Sequence, residues 1–164
     1  MSDAKRSGAS EPTARDVMNA DVLTVGPEAP LTRVAELFLE EGIHGAPVVD
    51  ETEAVIGVIA TTDILRVVEE EHDAPRSDAV YFRDTLEYSG PDWSQGTEDF
   101  QDRLAQLTVA DAMQTSIVAV DEGTPVSEIA KRMRADRIHR VLVTRRGRLV
   151  GIVTTLDLIG LLER

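Results

Sequence analysis

The phrase "GIVTTLDL" (Gly151–Leu158) nearly repeats "GVIATTDI" (Gly57–Ile64): a glycine, two β-branched residues, a pair of threonines and an aspartate. Working outward from these two phrases, a shift of 95 positions superimposes the chain on itself. "TARDVM" (13–18) falls on "TVADAM" (108–113), "VLTV" (22–25) on "IVAV" (117–120), and "PLTRVAELF" (30–38) on "PVSEIAKRM" (125–133). "GIHGAPVV" (42–49) falls on "RIHRVLVT" (137–144), and a one-residue difference in the next loop brings Gly57 onto Gly151. Self-similarity of this kind fixes the architecture ahead of any local propensity.

Each copy spells the same elements. "VLTV" and "IVAV" read as short β-branched strands. A helix follows, with Leu31, Val34, Ala35 and Phe38 on one face, matched by Val126, Ile129, Ala130 and Met133. Thr32 and Ser127 are the predicted N-caps, and Gly42 the stop of the first helix. A hairpin comes next: "APVVD" with "VIGVIA", and "RVLVT" with "LVGIVT", turning at "ETEA" and "RRGR", where Gly147 is free to take positive φ. A last helix starts after the threonines. A unit of about 50 residues buries too little apolar surface to be secure alone, so the two are expected to pack sheet against sheet with pseudo-twofold symmetry.

The 164 residues carry 30 acids against 17 bases, a net charge of −13. Such a surface repels nucleic acid and anionic membranes. Lys5 and Lys131 are the only lysines; excess acid with so few lysines suits high salt, where screening removes self-repulsion, although an ordinary acidic protein of the cytoplasm has the same balance. The absence of cysteine excludes disulfides, thiol nucleophiles and thiolate metal sites. No apolar run approaches the ~20 residues of a membrane span, and "MSDAKRSGASE" (1–11) reads as a disordered tail, so a cytoplasmic location is expected.

The paired "DVM" and "DAM" openings, the "GIHGAPVV" and "RIHRVLVT" strands and the two glycine-to-aspartate phrases together resemble the cystathionine-β-synthase-type (CBS) domain, present as a pair over roughly residues 12–65 and 108–164. The resemblance implies an α/β (α+β) fold of two β-α-β-β-α units, with ligand clefts between them. The ligands it implies contain adenosine: AMP, ADP or ATP, and in some members S-adenosylmethionine or NAD.

The residues themselves also suggest a ligand site. Thr154 and Thr155 sit where a strand becomes a helix, with Asp157 in the first turn; free N–H groups there suit phosphate, and the carboxylate suits ribose hydroxyls. The alternative is that Thr155 and Asp157 simply cap the helix. The resemblance assigns Thr154 and Asp157 to phosphate or ribose. In the first copy Asp63 keeps the aspartate but Ala60 replaces Thr154, so the two clefts should be unequal. Residues 131–148 hold eight bases and one acid, +7 within a chain of −13. The resemblance carries a phosphate-reaching His-Arg pair onto His139 and Arg140, whose guanidinium suits bidentate contact with phosphate. The first copy has His44 there, a ligand contact by the same correspondence although a lone histidine is as readily structural, followed by Gly45 in place of the arginine. For adenine the resemblance points to Val22, Thr24, Ala46, Ile117, Ala119 and Val141, any of which would serve equally as core. Which unit's strand completes which cleft is open at this stage.

Residues 66–107 form an inserted linker of eleven acids and four bases that holds five of the six aromatics. A disordered linker would be aromatic-poor, so this one should fold against the body, as a satellite core, a lid or a dimer contact. "TEDFQDRLAQL" (97–107) reads as a helix. No Walker loop, Ser-His-Asp spacing or histidine metal pair occurs, so neither an enzyme nor a required cofactor or metal is expected. The expected function is a regulatory module sensing an adenine nucleotide, homodimeric, reporting to an unidentified regulated protein. Alternatives are an interaction module with empty clefts and, less favoured, an enzyme whose inserted carboxylates bind Mg²⁺.

Overall fold

The computed structural model describes residues 10–68, 80–83 and 98–163. Both predicted hairpins form. In the first unit β1 (Gly45–Val49) pairs antiparallel with β2 (Val55–Ala60); in the second, β4 (Arg140–Arg145) pairs with β5 (Arg148–Thr154). Each hairpin slips register at the same repeat position, between Val48 and Val49 and between Val143 and Thr144. Gly147 takes φ 79° in the second turn, as expected of a glycine there.

The leading strands differ between units. β3 (Ala119–Asp121) runs parallel to β4, whereas "VLTV" contributes only the Val25–Val48 bridge. Pro47 supplies the physical reason. In the second unit Leu142 N–H donates to the Val118 carbonyl at 3.0 Å; the first-unit counterpart of Leu142 is Pro47, which has no N–H to give Leu23. Residues 22–24 are thereby released from the ladder.

The helices α2 (Leu31–Glu41) and α7 (Val126–Asp136) bury the predicted faces, with Leu31, Val34, Ala35 and Phe38 in one core and Ile129 and Met133 in the other. Their N-caps are Pro30 and Pro125, not Thr32 and Ser127. The first donors need no hydroxyl, because Leu31 N–H bonds the Leu107 carbonyl at 2.9 Å and Val126 N–H bonds that of Pro12 at 2.9 Å. Gly42 ends α2 in the left-handed region at φ 63°.

Those two bonds belong to a reciprocal exchange. The leading helix of the first unit, α1 (Ala14–Val17), packs on the second: Ala14 N–H reaches the Thr124 carbonyl at 2.8 Å, and Ala14 is buried with Ile129, Val141 and Val153. The leading helix of the second unit, α6 (Val109–Ala112), packs on the first: Val109 N–H reaches the Ala29 carbonyl at 3.0 Å, and Val109 is buried with Leu31, Phe38 and Val48. Each is closed by the same capping box, Thr13 with Asp16 and Thr108 with Asp111.

The same crossing accounts for the glycines of the repeated phrase. A Cβ at Gly151 would stand 2.6 Å from Met18 Sδ and 3.0 Å from the Asn19 carbonyl; one at Gly57 would stand 2.7 Å from the Gln114 carbonyl. What approaches each glycine is the methionine side chain and the following carbonyl of the other unit's "VMN" or "AMQ", bridged as Asn19–Ile152 and Gln114–Val58. The phrases then open α3 (Thr61–Val68) and α8 (Thr155–Gly160), the latter ending in a 3₁₀ turn (Leu161–Glu163).

Parts of the segment between the units are described. α4 (Val80–Arg83) brings Tyr81 and Phe82 into the second core, and α5 (Glu98–Gln106) buries Leu104 in the first, with Phe100 and Leu107 packed beside it. Tyr88 and Trp93 lie outside the described residues, as do residues 1–9 of the expected tail. No helix among the described residues is long and apolar enough to cross a membrane.

Candidate functional site

A cleft of about 560 Å³ lies between the units. The first unit lines it with Asn19, Asp21, Val22 and Leu23, and with Ile43, His44 and Gly45 at the start of its hairpin. Arg140, Ile152, Thr154 and Asp157 of the second unit face them, and Tyr81 of the linker completes the wall. The first unit's leading segment therefore completes the cleft that holds the second unit's threonine and aspartate.

Asp157 both caps a helix and lines the cleft. Its Oδ2 accepts from Thr154 N–H at 2.7 Å and from Thr154 Oγ1 at 3.0 Å, while Asp157 N–H returns a bond to Thr154 Oγ1. Oδ1 takes no hydrogen bond from any described residue. The capping box thus fixes the carboxylate with one acceptor oxygen left over, and that oxygen belongs to a group lining the cleft.

The counterpart in the first unit is sealed. Asp63 is 3% exposed. Its Oδ2 accepts from Ala60 N–H at 2.8 Å, repeating the Thr154 bond, but Oδ1 accepts from Gln114 Nε2 at 3.0 Å and from Arg66 at 3.3 Å. Burial pushes the Asp63 carboxyl above its ordinary range, opposed by the bonds from Gln114, Ala60 and Arg66. Asn19 holds the position of Gln114 in the open cleft, but its shorter side chain turns back, its Oδ1 accepting from Asp21 N–H at 2.9 Å. The inequality expected from Ala60 is present, yet one methylene at 19 versus 114 and the Arg66 guanidinium enforce it more than the missing hydroxyl does.

Of the residues proposed from sequence, Thr154, Asp157, Arg140, His44 and Val22 come together in this cleft. His139 does not; it is exposed, its N–H held by the Phe82 carbonyl at 2.8 Å and its own carbonyl by Thr155. Ala46 and Val141 are buried core, and Ile117 and Ala119 pack against the second core. Thr24 lines a separate depression of about 650 Å³ with Glu28, Asp50 and Glu51. Arg140 lies over the Tyr81 ring, 4.9 Å from its centroid, a cation–π geometry. Sequence reading missed Gln114, Asn19 and Arg66, although the 95-residue shift already aligns Asn19 with Gln114. It also missed the exposed carboxylates of Asp21 and Glu41 in the cleft, and Tyr81, for which no repeat signal exists because the linker is not repeated. Among the described residues no cluster of three or more His, Asp or Glu side chains could hold a metal ion.

The CBS-domain pattern matches residues 14–70 and 109–164, well over half of the chain. The chain belongs to the CBS-domain family. Among its relatives, protein MJ1225 of Methanocaldococcus jannaschii is 24% identical over 90% of this chain, which spans 42% of that protein's length. A CBS domain-containing protein of Dictyostelium discoideum is 25% identical over 90% of this chain and 89% of its own. The CBS domain of a membrane protein from Sphaerobacter thermophilus superimposes with a TM-score of 0.67 at 28% identity, covering 92% of this chain and 88% of that one. The same fold occurs in the CBS pair of MJ0100 in complex with 5′-methylthioadenosine and S-adenosyl-L-methionine (TM-score 0.61, 19% identity, 94% of this chain and 98% of that one). It occurs also in CBSX2 in complex with AMP (TM-score 0.64, 20% identity, 93% of this chain and 99% of that one).

Proposed function

We propose that this CBS pair is a regulatory module, without catalytic activity of its own, that binds an adenosine-containing ligand in the cleft of Asp157. The observation that carries the reading is the Asp157 carboxylate, fixed by its capping box with Oδ1 taking no bond from any described residue, in a cleft also lined by Val22, Leu23 and Ile43 of the other unit. A carboxylate opposite an apolar slot suits a ribose whose base enters the slot. Complexes of two proteins of the same fold with AMP and with S-adenosyl-L-methionine support the ligand class.

The charges refine the choice. Asp21, Glu41 and Asp157 line the cleft together with Arg140 and His44, and Arg140 is stacked on Tyr81. A lining with three carboxylates and one guanidinium disfavours a triphosphate, so the fit is to AMP or an adenosyl ligand without phosphate, in preference to ATP. Calorimetric titration of the purified protein with AMP, ATP and S-adenosylmethionine tests this: saturable AMP or S-adenosylmethionine binding is expected, and no heat with any of the three overturns it.

A second reading, a protein-docking module, draws on Leu156, Ile159 and Leu162, which are 76%, 47% and 84% exposed along α8 and the turn after it. This stripe we assign to a second copy of the chain.

A further inference from the structure

Pseudo-symmetry supplies two clefts, and the second is not vacant. Its counterpart walls are Ile117, Val118, Ile138 and His139 of the second unit, facing Gly45, Val58, Ala60 and Asp63 of the first. α4 of the linker lies against Gly45, Val58, Ile138 and His139 of these walls. Phe82 and Tyr81 are 2% and 4% exposed, in one core cluster with Val58 and Ile138, against which Ile117 and Val118 pack. The Phe82 carbonyl accepts from His139 N–H at 2.8 Å. Tyr81 and Phe82 meet edge to face, 5.1 Å between centroids.

The first unit is cut to receive this helix. A Cβ at Gly45 would stand 2.8 Å from Tyr81 Cδ2 and 2.8 Å from the Ile59 carbonyl, so the position equivalent to Arg140 has room for Tyr81 only as glycine. Ala60 beside it is as small as a side chain permits. Gln114 and Arg66 meanwhile occupy the Asp63 oxygen that corresponds to the open Oδ1 of Asp157.

We propose that Val80–Arg83 is a built-in surrogate ligand: its aromatic pair fills the apolar slot of the second cleft and its Phe82 carbonyl takes a backbone donor there. The module consequently accepts one adenosine-type ligand per chain, in the Asp157 cleft alone. The count of one rests on the function proposed above; the seating of the helix does not.

Two measurements separate them. Amide hydrogen exchange in the nucleotide-free protein reads the seating directly. The His139 amide should exchange at least about tenfold more slowly than an unbonded surface amide, and should lose that protection in a Tyr81→Ala/Phe82→Ala variant while the Thr155 amide, bonded to the His139 carbonyl, keeps its own. A His139 amide that exchanges freely in the wild type overturns the proposal, and so does one whose protection survives the double substitution. If the double variant fails to fold, the wild-type exchange decides alone. Calorimetric stoichiometry with AMP reads the consequence: one per chain supports the proposal and two overturn it. No binding overturns the proposed function, and the seating of α4 is then settled by the exchange at His139.

Discussion

Gln114 Nε2 donates to Asp63 Oδ1 at 3.0 Å across the two units, a buried bond between residues 51 apart in sequence. Its repeat counterpart, Asn19, makes no such bond to Asp157 and instead bonds the chain two residues on. Gln114→Ala should therefore cost roughly 1.5–3 kcal/mol of stability, the range for a hydrogen bond to a charged group. Asn19→Ala should cost less than about 1 kcal/mol, since the bond removed is exposed and neutral. Urea denaturation of the two variants checks the contrast.

Asp157→Ala removes two things at once. Stability should fall by about 0.5–2 kcal/mol through the lost cap, and AMP affinity by about 1.5–3 kcal/mol through the lost ribose acceptor. Asp111→Ala is the control, because the Asp111 carboxylate takes the same two bonds from Thr108 away from the cleft. It should lower the melting temperature comparably and leave AMP binding unchanged. Equal effects of both substitutions on affinity would reduce Asp157 to a cap.

The pH dependence of Asp63 has a defined sign. Its folded pKa is raised above the unfolded value near 3.9, so the stability it contributes is fully present below the unfolded pKa and is lost as pH rises through the folded pKa. Asp63→Asn lacks that titration. The stability of wild type minus that of Asp63→Asn should hence decline as pH is raised from about 3.9 through the folded pKa, measured by urea unfolding at successive pH values. A difference that rises over this window would contradict burial as the dominant influence on Asp63.

Gly57→Ala should cost about 1–3 kcal/mol, because the new methyl meets the Gln114 carbonyl at 2.7 Å and that backbone is tied to Val58. Gly26→Ala, with nothing within 4 Å of its Cβ position, should be neutral to slightly stabilising. Thermal unfolding of both variants distinguishes close approach from glycine content as the reason for Gly57.

The exposed stripe of Leu156, Ile159 and Leu162 predicts a homodimer in sedimentation at micromolar concentration and high salt. Leu156→Glu with Leu162→Glu should yield a monomer of unchanged helix content. A monomeric wild type would remove the second copy as the cover of this face.

The repeat made the hairpins, the two long helices and the Thr154–Asp157 junction legible, because each is encoded locally and written twice. What escaped was set by contacts across the pseudo-symmetry axis. Thr32 and Ser127 read as caps only until Leu107 and Pro12 are known to supply the first acceptors. "VLTV" reads as a strand only until its neighbour is known to carry Pro47 in place of a backbone donor. The imbalance of the clefts was foreseen at Ala60, yet Gln114 decides it, and a glutamine in "AMQ" signals nothing until Asp63 is placed beside it. Tyr81 is legible only as one aromatic of a segment expected to fold against the body; its seat beside Gly45 is not, since a segment present once has no second copy to betray its partner.

The exchanged leading helices have a consequence for how the molecule comes apart. With α1 embedded in the second unit and α6 in the first, neither repeat owns a complete interior, and melting one strips apolar cover from the other. The pair should behave as a single cooperative block with no half-melted intermediate. A chain nicked within residues 69–79 would therefore still hold its halves clasped, each by the hand of the other.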